Sequence, residues 1–236
     1  MIDKVMVLGG PIEYNEAQLK KIRQFEIIPD DAKHGSFWGG TSDEELNSLK
    51  KAIKDHYLKV QEFKCAYCRQ QIFVKHNAAW DVDHVVSKDV HPQFMFESLN
   101  LCISCKDCNG IKSNKSVLLN KRRKRFPGSA SDYDFVHPHF HVYSDHVRVV
   151  KLAALYLPKT ALGVKLIEVC GLLRFVLEFA GYDCAGDEIG SLMIALATEL
   201  QESKSAVERV AVMNIMKMHI DEGLRELARS AIKGNI

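Results

Sequence analysis

Cysteine is concentrated in one part of this chain. The sequence contains seven cysteines, and five of them lie close together in its first half. Cys65 and Cys68 form one Cys-x-x-Cys pair, and Cys105 and Cys108 form another. Two such pairs supply four thiolates, the tetrahedral ligand set of structural zinc, and an odd cysteine count argues against a disulfide framework. The sequence therefore predicts a structural zinc site. Cys102-x-x-Cys105 is an equally spaced pair, and a lone pair could be a redox motif or chance.

An Asp-His dipeptide lies between the two cysteine pairs. Asp83 and His84 occur in the strand-like stretch Trp80–Val86. Hydrolysis of a phosphodiester needs a base that activates water and a cation that holds the developing charge. A neutral imidazole that titrates near the working pH can be that base. Neighbouring side chains of a strand point to opposite faces, so a bend at the strand end is needed before both residues can serve one site.

The residues around this dipeptide resemble the HNH endonuclease family. In that family Asp-His ends a strand, Asn-Leu lies in a loop, and a Cys-x-x-Cys pair precedes His or Asn on a helix. The chain carries the same order as Asp83-His84, Asn100-Leu101 and Cys105-x-x-Cys108-Asn109. The resemblance covers about residues 65–115. It implies an α+β fold, with a ββα-metal (HNH) nuclease core and a pair of zinc knuckles inside a mostly α-helical protein.

The resemblance also implies roles for individual residues. His84 would activate water, and Asn100 would hold the loop around it through backbone hydrogen bonds. Asp83 and Asn109 offer hard oxygen ligands, which suit Mg²⁺ or Mn²⁺. The spacing of the family's second knuckle selects Cys105 and Cys108 and leaves Cys102 outside the zinc site. Four thiolates leave the zinc no open position, so this zinc would be structural.

A dense run of basic residues follows these motifs. The net charge of +2 excludes a globally basic protein, so attraction to nucleic acid requires local clustering. The clustered residues are Lys112, Lys115, Lys121, Arg122, Arg123, Lys124 and Arg125. We interpret the run as a phosphate-contacting edge of the site, which gives affinity without sequence preference. A solvated charged face is the alternative.

The predicted substrate is DNA, with RNA as the lesser option. The non-enzyme alternative is a nucleic-acid-binding module that is held together by zinc and whose Asp-His dipeptide is inert.

The remaining patterns predict three segments, 1–62, 63–126 and 127–236. Asn15 is typical of a helix cap, and Asp43-Glu44-Glu45 indicates the start of a second helix. Ser205 and Glu208 form a capping box for a helix that ends near Ile232. Its apolar stripe predicts a buried bundle face: Val207, Val210, Met213, Ile215, Met216, Leu224 and Leu227. Cys170 and Cys184 lie in apolar surroundings and are expected to be core residues.

A second polar cluster contains His137, His139 and His141. If this segment is extended, the three rings share one face. They could then form a second metal site, line a substrate cleft or pack beside the core. With the residues that follow it, this segment loosely resembles the Septu-type anti-phage nucleases, which work beside an ATPase. That resemblance implies that the C-terminal helices dock a partner such as an ATPase or form a homo-oligomer, whereas a plain covering bundle is the alternative.

Composition and hydropathy predict a globular cytoplasmic protein. Hydrophobic residues make up 47% of the chain and charged residues 26%, which is an ordinary globular balance. Apolar runs fall far short of the ~20 residues that cross a bilayer. The N-terminus shows no basic region followed by an apolar run, so we expect no signal peptide and no membrane partner.

Overall fold

The computed structural model describes residues 8–40, 42–74, 79–150, 155–175 and 187–232. The chain divides into two compact units. The first contains residues 1–144 with 169–171, and the second contains residues 145–168 with 172–236. The sequence positions 62 and 126, where segment boundaries were expected, both fall inside the first unit. Helices and two small antiparallel sheets make up the chain, which is therefore an α+β protein.

The first helix, α1 (Glu16–Glu26), begins at Asn15 as its sequence predicts. The Asn15 side-chain oxygen accepts a hydrogen bond from the Gln18 backbone N–H at 3.0 Å. The Gln18 side-chain oxygen accepts one from the Asn15 backbone N–H at 2.9 Å. This reciprocal pair satisfies two donors that a helix N-terminus otherwise leaves unpaired. The buried face of α1 carries Ile22 and Phe25.

The second helix, α2 (Glu44–Val60), forms one wall of the first unit. It begins at Asp43, whose Oδ1 accepts a hydrogen bond from the Leu46 backbone N–H at 2.9 Å. Its apolar residues recur at helical spacing and form the buried face Leu46, Leu49, Ile53 and Tyr57. This face packs on the small sheet formed by the next two strands, so the opposite, lysine-rich face of α2 is left for other contacts.

A strand–strand–helix succession follows α2. Strand β1 (Trp80–His84) pairs antiparallel with β2 (Leu101–Cys105), with Trp80 opposite Cys105 and His84 opposite Leu101. Helix α3 (Lys106–Lys112) follows β2 directly, and the Cys105 sulfur accepts a hydrogen bond from the Cys108 backbone N–H at its N-terminus. The sheet and α3 pack together, which brings side chains of β1 and α3 against one another.

Shorter elements complete the first unit. In the described part of the unit, 3₁₀ segments span Gly35–Gly39, Pro92–Phe94, Ser98–Asn100 and Ala130–Asp132. The short helix α4 (Tyr143–His146) begins in the first unit, and its last two residues belong to the second. An aromatic cluster of Phe25, Phe37, Trp38 and Phe96 packs the first 3₁₀ segment against α1 and the connection between β1 and β2.

The second unit contains a two-stranded sheet and the C-terminal helices. Strand β3 (Val147–Val150) pairs antiparallel with β4 (Leu155–Pro158). The helices with described bounds are α5 (Ala161–Val169), α6 (Asp187–Glu202) and α7 (Ala206–Ile232). Its core consists of Leu155, Leu157, Leu192, Leu196, Val212 and Ile215. Ser205 caps α7, since its hydroxyl accepts a hydrogen bond from the Glu208 backbone N–H at 3.1 Å.

The apolar face of α7 is rotated from the one that the sequence predicts. Val212 and Ile215 are buried, but Val210, Met213 and Leu224 are each more than half exposed. The residues of the predicted stripe fall on both the buried and the exposed side of the helix, because α7 carries apolar residues around much of its circumference. Among the described residues, no helix is long and apolar enough to cross a membrane.

Candidate metal centre and active site

Four buried cysteines converge in the first unit. The sulfur atoms of Cys65, Cys68, Cys105 and Cys108 all lie within 4.8 Å of one another. The sulfur atoms of Cys68 and Cys105 are 3.9 Å apart. A tetrahedral zinc with bonds of about 2.3 Å separates its sulfur ligands by about 3.8 Å. The geometry and the donor type therefore fit a zinc ion, and the four residues are those that the sequence pattern selected.

Backbone hydrogen bonds hold the sulfur atoms in place. The Cys65 sulfur accepts hydrogen bonds from the backbone N–H groups of Tyr67, at 3.5 Å, and Cys105, at 3.3 Å. The Cys65–Cys68 turn is joined to β2 by a hydrogen bond from the Ala66 N–H to the Ile103 carbonyl at 3.0 Å. These contacts orient the ligands of a metal centre from outside its first coordination sphere, so both knuckles are positioned by β2.

Cys102 lies outside this cluster. It is fully buried, and its sulfur lies 3.6 Å from the Tyr67 hydroxyl. Burial raises the pKa of the Cys102 thiol. Cys102 thus belongs to the interior beneath the strands. Cys170 is also buried, as expected, whereas Cys184 lies outside the described residues.

His84 lies at the end of β1, and one of its ring nitrogens forms a hydrogen bond to the backbone. The ring is 4% exposed, and Nε2 donates to the Met95 carbonyl at 3.0 Å. A carbonyl oxygen accepts only from a protonated nitrogen, so Nδ1 of the neutral ring keeps its lone pair. Burial, with lesser contributions from Lys88 and Lys112, lowers the pKa of His84 to about 3. The imidazole is therefore neutral at physiological pH, and its pKa lies below the near-neutral value that was expected of the base from the sequence.

Asn100 ties together the loop around His84. Its amide oxygen accepts from the Val86 backbone N–H at 2.7 Å. Its amide nitrogen donates to the carbonyls of Val86, at 3.1 Å, and Phe94, at 3.0 Å. The side chain is fully buried. Three backbone contacts from one amide join the residues after β1 to the segment that holds Met95.

Asp83 is committed to interior partners. Its carboxylate forms an ion pair with Lys112, whose Nζ lies 3.0 Å from Oδ2, and it accepts a hydrogen bond from the Tyr67 hydroxyl. Lys112 is 1% exposed and also donates to the His84 carbonyl at 2.8 Å. Lys112 was expected to contact phosphate at the surface. Its ammonium instead neutralises a buried carboxylate, because an isolated charge in the interior is costly.

Asn109 lies beside Asp81. It was expected to share a metal ion with Asp83, whose carboxylate instead binds Lys112 and Tyr67. The Asn109 amide nitrogen donates to Asp81 Oδ2 at 2.9 Å. Lys106 donates to Asp81 Oδ1 at 2.6 Å, and both of these charged side chains are partly exposed. Asp81 and Asp83 lie on the same face of β1 because side chains alternate along a strand, and α3 pairs with each of them through a different residue.

An open cleft of about 440 Å³ adjoins the Asp81–Asn109 pair. Its polar lining consists of Lys50, Lys51, Lys54, Lys88, Asp81 and Asn109. Among the described residues that line it, Asp81 is the one acidic side chain. Trp38 also lines the cleft, and its ring meets the His84 ring edge-on with centroids 4.6 Å apart. The cleft is thus strongly basic and is bordered by a side chain in contact with His84.

The predicted basic run is only partly available to a ligand. Lys115 donates to the Val169 carbonyl at 3.1 Å, and Arg123 pairs with Asp132. Lys121, Arg122, Lys124 and Arg125 are exposed. None of the residues of this run lines the cleft. The basic surface nearest the candidate site is therefore supplied by α2 and by Lys88.

The three clustered histidines lie in a turn and not on an extended strand. The His141 backbone N–H donates to the His137 carbonyl at 3.0 Å. Two ring nitrogens accept backbone hydrogen bonds: Nδ1 of His137 from the His139 N–H and Nδ1 of His141 from the His137 N–H. Among the described residues, convergent metal-ligating side chains occur at the four cysteines. The histidines instead organise the interior of the first unit.

Sequence reasoning did not identify Asp81 or the lysines of α2 as site residues. Asp81 carried a weak signal, since it lies two residues before Asp83 and so on the same side of the strand. Lys50 and Lys54 are four residues apart and share the polar face of a predicted helix. The sequence does not show that this face lies next to β1, because that depends on how α2 packs on the sheet.

The comparisons with known proteins identify no relative. No protein-family model, no curated protein and no solved structure matches this chain.

Proposed function

We propose that this chain is a metal-dependent endonuclease that hydrolyses phosphodiester bonds in DNA, with β1, β2 and α3 as an HNH-type core. One observation carries the proposal. The His84 ring, in a loop held by Asn100, has its Nε2 hydrogen-bonded to a backbone carbonyl and contacts Trp38, which lines a basic cleft that contains Asp81 and Asn109. A neutral base, hard oxygen ligands and a cationic surface are the components that phosphodiester hydrolysis requires.

His84 is the general base in this proposal. Its Nε2–H is fixed on the Met95 carbonyl, so Nδ1 accepts the proton of the attacking water. Burial keeps the ring neutral before the reaction. Trp38 contacts the ring edge-on and, together with the Met95 hydrogen bond, restricts its orientation. A base held in one orientation lowers the entropic cost of reaching the reacting geometry.

Asp81 and Asn109 are the oxygen donors for the catalytic cation in this proposal. They adjoin each other at the cleft, whereas both carboxylate oxygens of Asp83 are engaged by Lys112 and Tyr67 in the interior. One carboxylate and one amide oxygen, completed by water and phosphate, suit Mg²⁺ or Mn²⁺. Such a cation would stabilise charge that develops on the phosphate oxygens. Asp83 then joins β1 to α3 instead of binding the cation.

The four cysteines have a structural role in this proposal. Zinc bound by four thiolates has no position for a substrate or a water molecule. Because both knuckles are anchored to β2, a zinc ion there joins the residues before β1 to the start of α3, the helix that carries Asn109. Loss of the zinc should therefore disturb the candidate active site indirectly.

The test is cleavage of supercoiled plasmid by zinc-loaded protein. With Mg²⁺ or Mn²⁺ we expect conversion to nicked or linear DNA, and with EDTA added at the start we expect none. Zinc content is measured after each reaction, so that loss of the structural ion is distinguished from loss of the catalytic one. DNA binding without cleavage under both metals would overturn the proposal and favour a zinc-stapled nucleic-acid-binding module.

A further inference from the structure

The basic cleft combines a net positive charge with a lining residue, Trp38, that contacts the ring of the candidate base. Lys50, Lys51 and Lys54 reach it from α2, and Lys88 reaches it from the segment after β1. Opposing them is the Asp81 carboxylate, which already pairs with Lys106. A concave surface lined by one sign of charge concentrates ligands of the opposite sign. The cleft is therefore suited to a polyanion.

The lysines of the cleft are held at defined positions. Lys50 donates to the carbonyls of Trp38, at 3.2 Å, and Gly40, at 3.3 Å. Lys54 donates to the Trp80 carbonyl at 2.7 Å. These contacts orient the ammonium groups through uncharged partners, so their positive charge is not neutralised by them. An ammonium has three donors, and the two carbonyl contacts of Lys50 leave it one donor for a phosphate oxygen.

The spacing of these groups matches a nucleic-acid backbone. Lys50 and Lys54 are separated by one turn of α2, a rise of about 6 Å along the helix axis. Two phosphate steps along one strand of a DNA duplex cover about 7 Å of the duplex axis. Lys51 is exposed on the same helix, next in sequence to Lys50. A helix face of this kind can contact two phosphates of one strand.

We propose that the α2 lysines and Lys88 form the surface that binds the DNA backbone and presents it to His84. The choice of ligand rests on the proposed function. This assignment replaces the run 121–125 as the main phosphate contact, because none of the residues of that run lines the cleft. Phosphate contacts of this kind supply affinity and register but no base readout.

The test measures the salt dependence of DNA binding by the K51Q/K88Q double variant. Lys51 has an exposed side chain and Lys88 pairs with its exposed neighbour Asp89, so neither substitution removes an interior contact. The probe is a fluorescein-labelled mixed-sequence duplex of 20 base pairs, in buffer without Mg²⁺ or Mn²⁺. The slope of log Kd against log salt should fall by about 2 relative to the unmodified chain, since each lost phosphate contact contributes about 0.9.

The matched control is K121Q/K124Q, which removes two exposed charges from the other basic surface. Its slope should stay within about 0.5 of the unmodified chain, which is less than one phosphate contact. An unchanged slope in K51Q/K88Q, or an equal fall in both variants, would overturn the assignment of the cleft. A K50Q/K54Q variant, checked for folding by thermal melting, should also lose slope.

Failure of this inference and failure of the nuclease proposal give different results. If the chain binds DNA through these lysines but does not cleave it, the assignment of the binding surface stands and the nuclease proposal fails. If the chain cuts plasmid with Mg²⁺ but the K51Q/K88Q variant binds DNA with an unchanged salt dependence, the nuclease proposal stands and the assignment of this binding surface fails.

Discussion

The Nζ of Lys112 lies 3.0 Å from Oδ2 of Asp83, and both side chains are buried. This ion pair joins the fourth residue of β1 to the last residue of α3. The Lys112 ammonium also binds the His84 carbonyl at 2.8 Å. The pair thereby connects the interior of the first unit to the backbone of the candidate base.

Removal of one partner of this pair should destabilise the protein strongly. Lys112→Met leaves the Asp83 charge buried without its cation, and the loss of one partner of a buried pair costs about 3–5 kcal/mol. Urea unfolding should show that loss in the free energy of unfolding. The exposed control Lys124→Met should change it by less than about 0.5 kcal/mol. The Asp83→Asn change added to Lys112→Met should restore part of the loss, and absence of any loss in Lys112→Met would contradict the pairing.

Substitution of the candidate base should remove cleavage and leave the fold intact. We expect His84→Ala to lower the single-turnover rate of plasmid cleavage by about 10²–10⁴, the usual contribution of a general base. The matched control is His56→Gln, since His56 is a half-buried histidine on α2 that contacts the Gly10 carbonyl. Its rate should match that of the unmodified chain. Undiminished cleavage by His84→Ala would reject the assignment.

Asp81 should determine the requirement for the catalytic cation. Asp81→Asn removes the ligand charge at the cleft, and we expect cleavage at limiting Mg²⁺ to fall at least about 100-fold, with partial recovery at high Mg²⁺. Asp107→Asn is the control, because Asp107 is an exposed acid on the same helix as Asn109. Full activity of Asp81→Asn at limiting Mg²⁺ would return the ligand role to Asp83.

The two neighbouring cysteines should differ in their effect on zinc. Cys105→Ala removes one of four thiolates, and we expect loss of bound zinc with local unfolding. Cys102→Ala should keep one zinc per chain, since its sulfur contacts Tyr67 and lies outside the cluster. Metal analysis of the purified variants measures both. Zinc lost from Cys102→Ala and kept by Cys105→Ala would show that the wrong knuckle had been selected.

The buried histidines should make the fold acid-sensitive below about pH 6.5. Burial lowers the pKa of His137 and of His139 below the value of about 6.5 that they have in the unfolded chain. At lower pH the unfolded chain therefore binds protons that the folded chain excludes, and stability falls. Protonation of His137 at Nδ1 would also displace the hydrogen bond from the His139 N–H.

The expected loss between pH 6.5 and 5.5 is about 1 kcal/mol for His137, whose pKa lies well below that of the unfolded chain, and His139 adds to it in the same direction. Urea unfolding at pH 7.5, 6.5 and 5.5 measures it, with zinc content checked at each pH. The exposed His34→Gln variant should show the same pH profile as the unmodified chain. A free energy of unfolding that is independent of pH over this interval would contradict the prediction.

The sequence by itself determined the features that depend on local spacing. Two Cys-x-x-Cys pairs predicted a four-thiolate site, because two residues between cysteines let one turn present both sulfur atoms to one ion. Spacing alone did not separate Cys105–Cys108 from the equally spaced Cys102–Cys105. Caps at Asn15 and Ser205 located two helix starts, since a cap is a contact between residues three apart. The α+β class was implied by the family resemblance of residues 65–115.

Only the tertiary structure decided which partner each charged side chain meets. Asp81 and Asp83 share one face of β1, and the packing of α3 assigns Asn109 to the first and Lys112 to the second. The orientation of α2 places Lys50 and Lys54 beside Trp38 and Trp80, whereas the run 121–125 lies away from the cleft lining. Such pairings join residues far apart in sequence, and burial decides whether a lysine meets solvent or a carboxylate, so no local pattern could specify them.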